Sequence, residues 1–258
     1  MIKIMDQKPR ILISNDDGIH APGLKVLEEI AASITDDIWI VAPEMEQSGA
    51  AHSLSIGRPL RFRILDKKRY TVNGTPTDCI MIALNKILTE TRPDLVLSGV
   101  NHGANLGEDV TYSGTVAAAM EATLLGIPAI ALSQSMGPEG KETYQPAQHY
   151  GPALVKKLIS QTWPRNVLIN INFPAVEVEE VKGVRVVRQG LRNINDNLIK
   201  WKDPSGKPFF WIGGNRDDSP TEEETDLEAV HQGSISVTPL HLDLTHHSTL
   251  ETLKLAFL

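Results

Sequence analysis

Ile11-Leu12-Ile13 is a short apolar run that stops abruptly at Ser14-Asn15-Asp16-Asp17-Gly18, a dense turn signal. The chain then changes period. Leu24, Leu27, Ile30, Ala31 and Ile34 recur at helical spacing, with Glu28 and Glu29 on the other side. Ile38-Trp39-Ile40-Val41-Ala42-Pro43 follows as a second apolar run, ended by its proline. Strand, helix and strand within one crossover unit favour parallel pairing with a right-handed connection. Strands that are apolar at successive positions must also be covered on both faces. The first forty residues thus point to an open α/β sheet.

The same alternation continues. Residues 60–64 and 69–72 read as a hairpin, and Thr75-Pro76-Thr77-Asp78 as a helix start with Thr75 as N-cap and Asp78 completing a capping-box-like pair. Leu95-Val96-Leu97-Ser98-Gly99, Pro128-Ala129-Ile130-Ala131-Leu132 and Val167-Leu168-Ile169-Asn170-Ile171 read as strands. Between them lie an alanine-rich helix at 116–125 and a helix near 153–160. The expected fold is α/β, a Rossmann-like doubly wound, mostly parallel sheet. The last third differs: 183–189, 209–212 and 234–238 read as separated strands, 193–207 as a loop or arm, and the acidic 217–226 as solvated loop. One domain over 1–258 is expected, with an α/β core at about 1–180 and a β-rich oligomerisation arm and C-terminal segment at about 181–258.

Composition narrows the function. Aromatic residues make up 5% of the chain, so the core must rest on Val, Ile, Leu and Ala. A net charge of −7 argues against holding a nucleic-acid duplex by its backbone, yet leaves room for a nucleotide substrate. The single cysteine, Cys79, excludes an intramolecular disulfide framework and a thiolate-rich metal site, and on an apolar helix face it reads as a core residue. The first ten residues lack the apolar run of a secretory signal, and no stretch approaches the roughly 20 apolar residues of a membrane span, so a cytoplasmic protein is expected.

In open α/β sheets, ligands bind beyond the carboxyl ends of the strands. Four polar clusters fall there: Asn15-Asp16-Asp17-Gly18, Gln47-Ser48-Gly49, Ser98-Gly99-Val100-Asn101 and Tyr112-Ser113-Gly114-Thr115. Two carboxylates forced together repel or share a proton unless a cation joins them. A hard divalent ion held by Asp16 and Asp17, with oxygen donors from Ser48 and Asn101, resolves that conflict. The alternative is that Asp16 and Asp17 merely cap the next helix. Ser113-Gly114-Thr115 opens a helix and offers backbone N–H groups and hydroxyls to a phosphate, with simple N-capping as the alternative. His20, His52 and His102 lie beside these clusters and read most simply as solvated; His241, His246 and His247 match no zinc spacing.

These motifs resemble the SurE family of survival-protein nucleotidases. The likeness runs in order through Ile11 to Gly18 with Ala21-Pro22-Gly23, Gln47-Ser48-Gly49, Asn73-Gly74-Thr75-Pro76-Thr77-Asp78-Cys79, Ser98 to Asn105, Tyr112 to Glu121, Asn172-Phe173-Pro174, Trp211-Ile212-Gly213-Gly214 and Ser236 to Leu240 with Asp243 and Thr245. The resemblance implies a metal-dependent phosphomonoesterase acting on nucleoside monophosphates, a 5′-nucleotidase with room for 3′-nucleotides and short polyphosphate. It implies Mg²⁺ or Mn²⁺ on Asp16, Asp17, Ser48 and Asn101, with Asn105, Ser113 and Thr115 near the phosphate. Gly114 joins the phosphate set as part of the same helix start, and Asp16 and Asp17 are the two candidates for accepting a proton from the attacking water. It further implies a homodimer or homotetramer formed by exchange of C-terminal arms, which suits the 193–207 region with Trp201. A phospho-acceptor or nucleotide-binding regulatory domain is the rival reading. That rival needs a lysine after the fifth strand, where this chain has Ser133-Gln134-Ser135.

Overall fold

The computed structural model describes residues 2–3, 8–137, 143–192, 198–212, 220 and 222–258. In chain order the strands are β1 (Ile2–Lys3), β2 (Ile11–Ser14), β3 (Ile38–Pro43), β4 (Phe62–Asp66), β5 (Arg69–Val72), β6 (Leu95–His102), β7 (Ala129–Gln134), β8 (Thr162–Trp163), β9 (Val167–Phe173), β10 (Val184–Val186), β11 (Leu198–Lys202), β12 (Pro208–Ile212) and β13 (Ile235–His241). The helices are α1 (Pro22–Ala32), α2 (Pro76–Ile82), α3 (Gly114–Leu124), α4 (Gln145–Ile159), α5 (Asp226–His231) and α6 (His247–Ala256).

One sheet of nine strands carries the fold, in the order β10-β13-β9-β7-β6-β2-β3-β5-β4. From β9 through β7, β6, β2 and β3 to β5 every neighbouring pair is parallel. The chain builds outward from β2 to β3, β5 and β4, then crosses back to β6 and builds the other way. The reversal leaves a crevice between the carboxyl ends of β2 and β6, where a doubly wound sheet places its ligand.

Both faces are covered, as the continuous apolar runs require. Ile11 and Ile13 of β2 and Leu95 and Leu97 of β6 pack with Leu24, Leu27 and Ile30 of α1 and Leu154 and Val155 of α4. Leu12 and Val96 point the other way, into a second layer with Cys79 and Ile80 of α2 and Val116, Ala118, Ala119 and Ala122 of α3. The small side chains of α3 let it bury nearly its whole length. Thr75 and Asp78 form a full capping box at α2.

The structure corrects several expectations. Residues 198–202, read as loop or arm, form β11 and pair antiparallel with β12, Trp201 opposite Phe209; 193–197 lie outside the described residues. The segment after 181 is also less separate than expected, because β13 joins β9 and β10 joins β13 in the main sheet. Of the acidic 217–226 stretch, 217–219 and 221 lie outside the described residues, but Asp226 is fully buried rather than solvated. Helix α4 begins at Gln145, earlier than the helix expected near 153–160, and runs through Pro152. Helix α6 went unforeseen, since none of its residues is buried and its pattern is weak.

Candidate active site

The crevice is lined from the strand exits upward. At the end of β2, Asn15 Nδ2 donates to Gly18 O at 2.8 Å and closes the turn. The Asp16 carbonyl accepts from Gln47 N at 2.8 Å, fastening the β3–β4 loop (residues 44–61) to the turn. The Asp16 side chain is buried and accepts from the Thr115 hydroxyl at the start of α3. Gly114 is required there, because a Cβ on it would lie 2.7 Å from Asp16 Cβ. Burial pushes the Asp16 carboxyl above its ordinary value, although the Thr115 hydroxyl and the nearby N–H groups of Gly114 and Thr115 oppose the shift. Helix α1 has Ala21 at its N-cap and no side-chain cap, so Asp16 and Asp17 are not the capping residues of the alternative reading.

At the end of β6 the strand departs from regular pairing. Its register with β7 shifts between Ser98 and Asn101, and the Gly99–Val100 peptide is cis. Gly99 has φ +130°, and a Cβ there would meet Leu132 O at 2.1 Å. Beyond this irregularity His102 N donates to Asp17 Oδ2 at 3.3 Å, which brings the two strand exits together. Asn101 Nδ2 donates to Gly103 O at 2.8 Å, leaving Oδ1 as the remaining acceptor of that amide. Ser48 is exposed on the 44–61 loop, one residue beyond the Gln47 anchor, and its hydroxyl donates to Glu46 Oε1 at 2.7 Å.

Among the described residues no three His, Cys, Asp or Glu side chains converge on a possible metal position. The oxygen groups at these strand exits are the carboxylates of Asp16 and Asp17 and the neutral side chain of Asn101, with Ser48 on the adjoining loop. A buried carboxylate whose direct partners are a hydroxyl and backbone N–H groups, beside a second carboxylate, fits a hard divalent cation.

Residues 11–196 match the family described as Survival protein SurE. The chain belongs to that family. The 5′-nucleotidase SurE of Paramagnetospirillum magneticum is 54% identical over 248 residues, covering 96% of this chain and 95% of that protein. The 5′-nucleotidase SurE of Caulobacter vibrioides is 51% identical over 249 residues, 95% of each chain. The crystal structure of the SurE protein from Aquifex aeolicus superposes with a TM-score of 0.84 at 44% identity, covering 95% of this chain and 98% of that one. The doubly wound fold and the SurE resemblance both stand.

In this SurE family member the candidate phosphate residues divide. Ser113 Oγ accepts from Val116 N at 3.0 Å, the capping role that sequence reading holds as the alternative, while the Thr115 hydroxyl is taken by Asp16. Asn105 sits in a buried polar knot. Its N–H donates to Asn172 Oδ1 at 2.8 Å and its Nδ2 to Ser133 Oγ at 2.8 Å, and its carbonyl accepts from Asn170 and Asn172. Sequence reading missed Ser133, Asn170 and Asn172. The available signal was two asparagines inside an otherwise apolar buried strand, since buried amides need partners. It also missed Asp226, which accepts from Gly107 N at 3.0 Å and Gly190 N at 2.8 Å. Arg192 N donates to Glu108 at 2.7 Å, and the Arg192 guanidinium pairs with Asp109 at 2.8 Å. The segment leading from Asn105 to Ser113 is thereby tied to the root of the β11–β12 hairpin.

Proposed function

We propose that this SurE family member is a metal-dependent phosphomonoesterase that cleaves nucleoside 5′-monophosphates to nucleoside and phosphate, with 3′-nucleotides and short polyphosphate as further substrates. The observation that carries this reading is the buried Asp16 carboxylate at the sheet's switch point, held by the first turn of α3. Asp16, Asp17, Ser48 Oγ and Asn101 Oδ1 are the groups that would hold Mg²⁺ or Mn²⁺. The ion, when bound, supplies Lewis-acid polarisation of the phosphoryl oxygens. The chain's own groups do the rest. The positive end of α3 faces the crevice at Ser113 and Gly114, where an anion is favoured. Asn105 Nδ2 has a second hydrogen beyond the one given to Ser133 and can donate it to a phosphoryl oxygen, held in place by its buried knot. Thr115 acts through Asp16, fixing the carboxylate's orientation. Asp17 is the less enclosed of the two carboxylates and the better placed to take a proton from an attacking water.

Release of inorganic phosphate from AMP, GMP, UMP, 3′-AMP and tripolyphosphate, with and without EDTA, tests the reading. Release from nucleotides that stops in EDTA and returns with Mn²⁺ supports it; undiminished release in EDTA, or none from any nucleotide, sinks it. Among the described residues no helix is long and apolar enough to cross a membrane, and the cytoplasm is the proposed location, where such substrates are made. The β11–β12 hairpin exposes Leu198, Trp201, Phe210 and Trp211. A lone two-stranded hairpin is marginal in water, and clustered exposed apolar side chains mark an interface. Exchange of this arm in a homodimer or homotetramer is the proposed assembly.

A further inference from the structure

As a helix cap, the Thr75–Asp78 pair is already complete. Asp78 N donates to Thr75 Oγ1 at 3.1 Å, and Thr75 N donates to Asp78 Oδ2 at 2.9 Å. Both side chains nevertheless reach further, to the 44–61 loop that carries Ser48. The Thr75 hydroxyl donates to Ser53 O at 2.8 Å. Asp78 Oδ1 accepts from Ser55 N at 3.0 Å, and Oδ2 accepts from Ser55 Oγ at 2.6 Å. Ser55 Oγ in turn accepts from Arg58 Nη2 at 3.0 Å. Thr75 and Asp78 are both buried, so these bonds form away from competing water.

A second fastening comes from α3. Glu121, largely buried, meets His52 Nε2 through Oε2 at 2.9 Å. Ala51 N donates to Tyr112 O at 3.1 Å, and Gln47 N to Asp16 O at 2.8 Å. The loop is thus pinned at 47, 51, 52, 53 and 55, with Ser48, Gly49 and Ala50 spanning the gap between the first two pins.

We infer that Thr75, Asp78, Ser55, His52 and Glu121 are positioning residues, with the α2 cap and α3 holding the loop so that Ser48 stays beside the Asp16–Asp17 turn. The inference rests on the proposed role of Ser48 as a metal ligand. A donor already ordered before binding adds affinity that a mobile one loses to its own ordering. Each of the five acts through the loop.

Ser55→Ala tests this, because it removes the hydroxyl's bond to Asp78, together with the bonds Arg58 gives that hydroxyl, and leaves both bonds of the capping box. Hydrogen exchange at 47–55 accelerates while exchange in α2 stays at the wild-type rate. The Mn²⁺ dissociation constant and the KM for AMP rise about fivefold, the worth of one hydrogen bond, with kcat less affected. Ser55→Thr restores all three. If Ser55→Ala does not fold, His52→Ala makes the same test from the α3 side. Unchanged exchange at 47–55, or a loosened loop with unchanged Mn²⁺ affinity, overturns the inference. Absence of nucleotide hydrolysis by the wild type would sink the proposed function instead, while exchange and Mn²⁺ binding still decide this one.

Discussion

Asp16 is the residue on which stability and function pull in opposite directions. Its carboxylate is enclosed, and burial raises its affinity for a proton, so the charged form costs the fold something that a neutral side chain does not. Asp16→Asn keeps the size and can still accept from Thr115. In EDTA this variant should melt at or above the wild-type temperature, while phosphate release falls below detection in the presence of Mn²⁺. Paired melting curves and phosphate assays decide it, and full turnover by the variant would refute the assignment. Thr115 gives the complementary case. Thr115→Val keeps the shape but removes the hydroxyl that Asp16 accepts from, at a cost of about 1–3 kcal/mol in a urea melt, and Thr115→Ser retains most of that. At this scale the sequence is most readable where meaning is local. Asp16, Asp17 and Asn101 stand next to strand ends that periodicity finds without help. Asn172, Ser133 and Asp226 could not be read the same way, because their partners lie 67, 28 and 119 positions away.

Among the elements, the short 3₁₀ turn at Gly107–Thr111 and α5 depend on one another through Asp226. Its two oxygens accept from Gly190 N and Leu227 N on one side and Gly107 N on the other, joining three stretches of backbone. Burial raises this carboxyl above its usual value of 3.8, and those N–H bonds only partly counter the rise. Because the folded form holds the proton more tightly than the unfolded form, its contribution to stability is complete below pH 3.8. That contribution declines as pH rises through the higher folded value. Asp226→Asn keeps the size and cannot titrate, but turns amide N–H donors toward the three backbone N–H groups that Asp226 accepts from, at about 1–3 kcal/mol. Its deficit against wild type should be largest in acid and narrow as pH rises past 3.8, as read by urea midpoints across pH; a gap that widens would show that the ionised form is favoured. The strands and helices of the sheet were legible because each repeats one local pattern. The β11 strand was not, since Lys200 and Lys202 alternating with Ile199 and Trp201 in so short a run resemble a polar loop until Pro208–Ile212 is seen opposite.

For the whole molecule, the prediction concerns the hairpin. Trp201 and Trp211 are each more than half exposed, and replacing both with Ser removes the two largest apolar side chains the hairpin offers to a partner. The double variant should show a lower mass by light scattering than the wild type, while its Mn²⁺ affinity stays within about twofold, since none of Asp16, Asp17, Ser48 and Asn101 lies on the hairpin. An unchanged oligomer would mean that the arm does not hold the assembly together. The sheet order carries one more consequence, for the order of synthesis. Strand β2 leaves the ribosome before both of its neighbours, yet lies in the interior of the finished sheet, between β3 and β6. Its β3 edge can close once residue 40 has emerged, but its other edge stays open until Leu95–Ser98 arrives. Asp16 waits longer still, for Thr115. A nascent chain that stops before Leu95 carries an open β2 edge, and one that stops before Thr115 an unheld aspartate, so the turn that emerges with β2 is completed only 99 positions later.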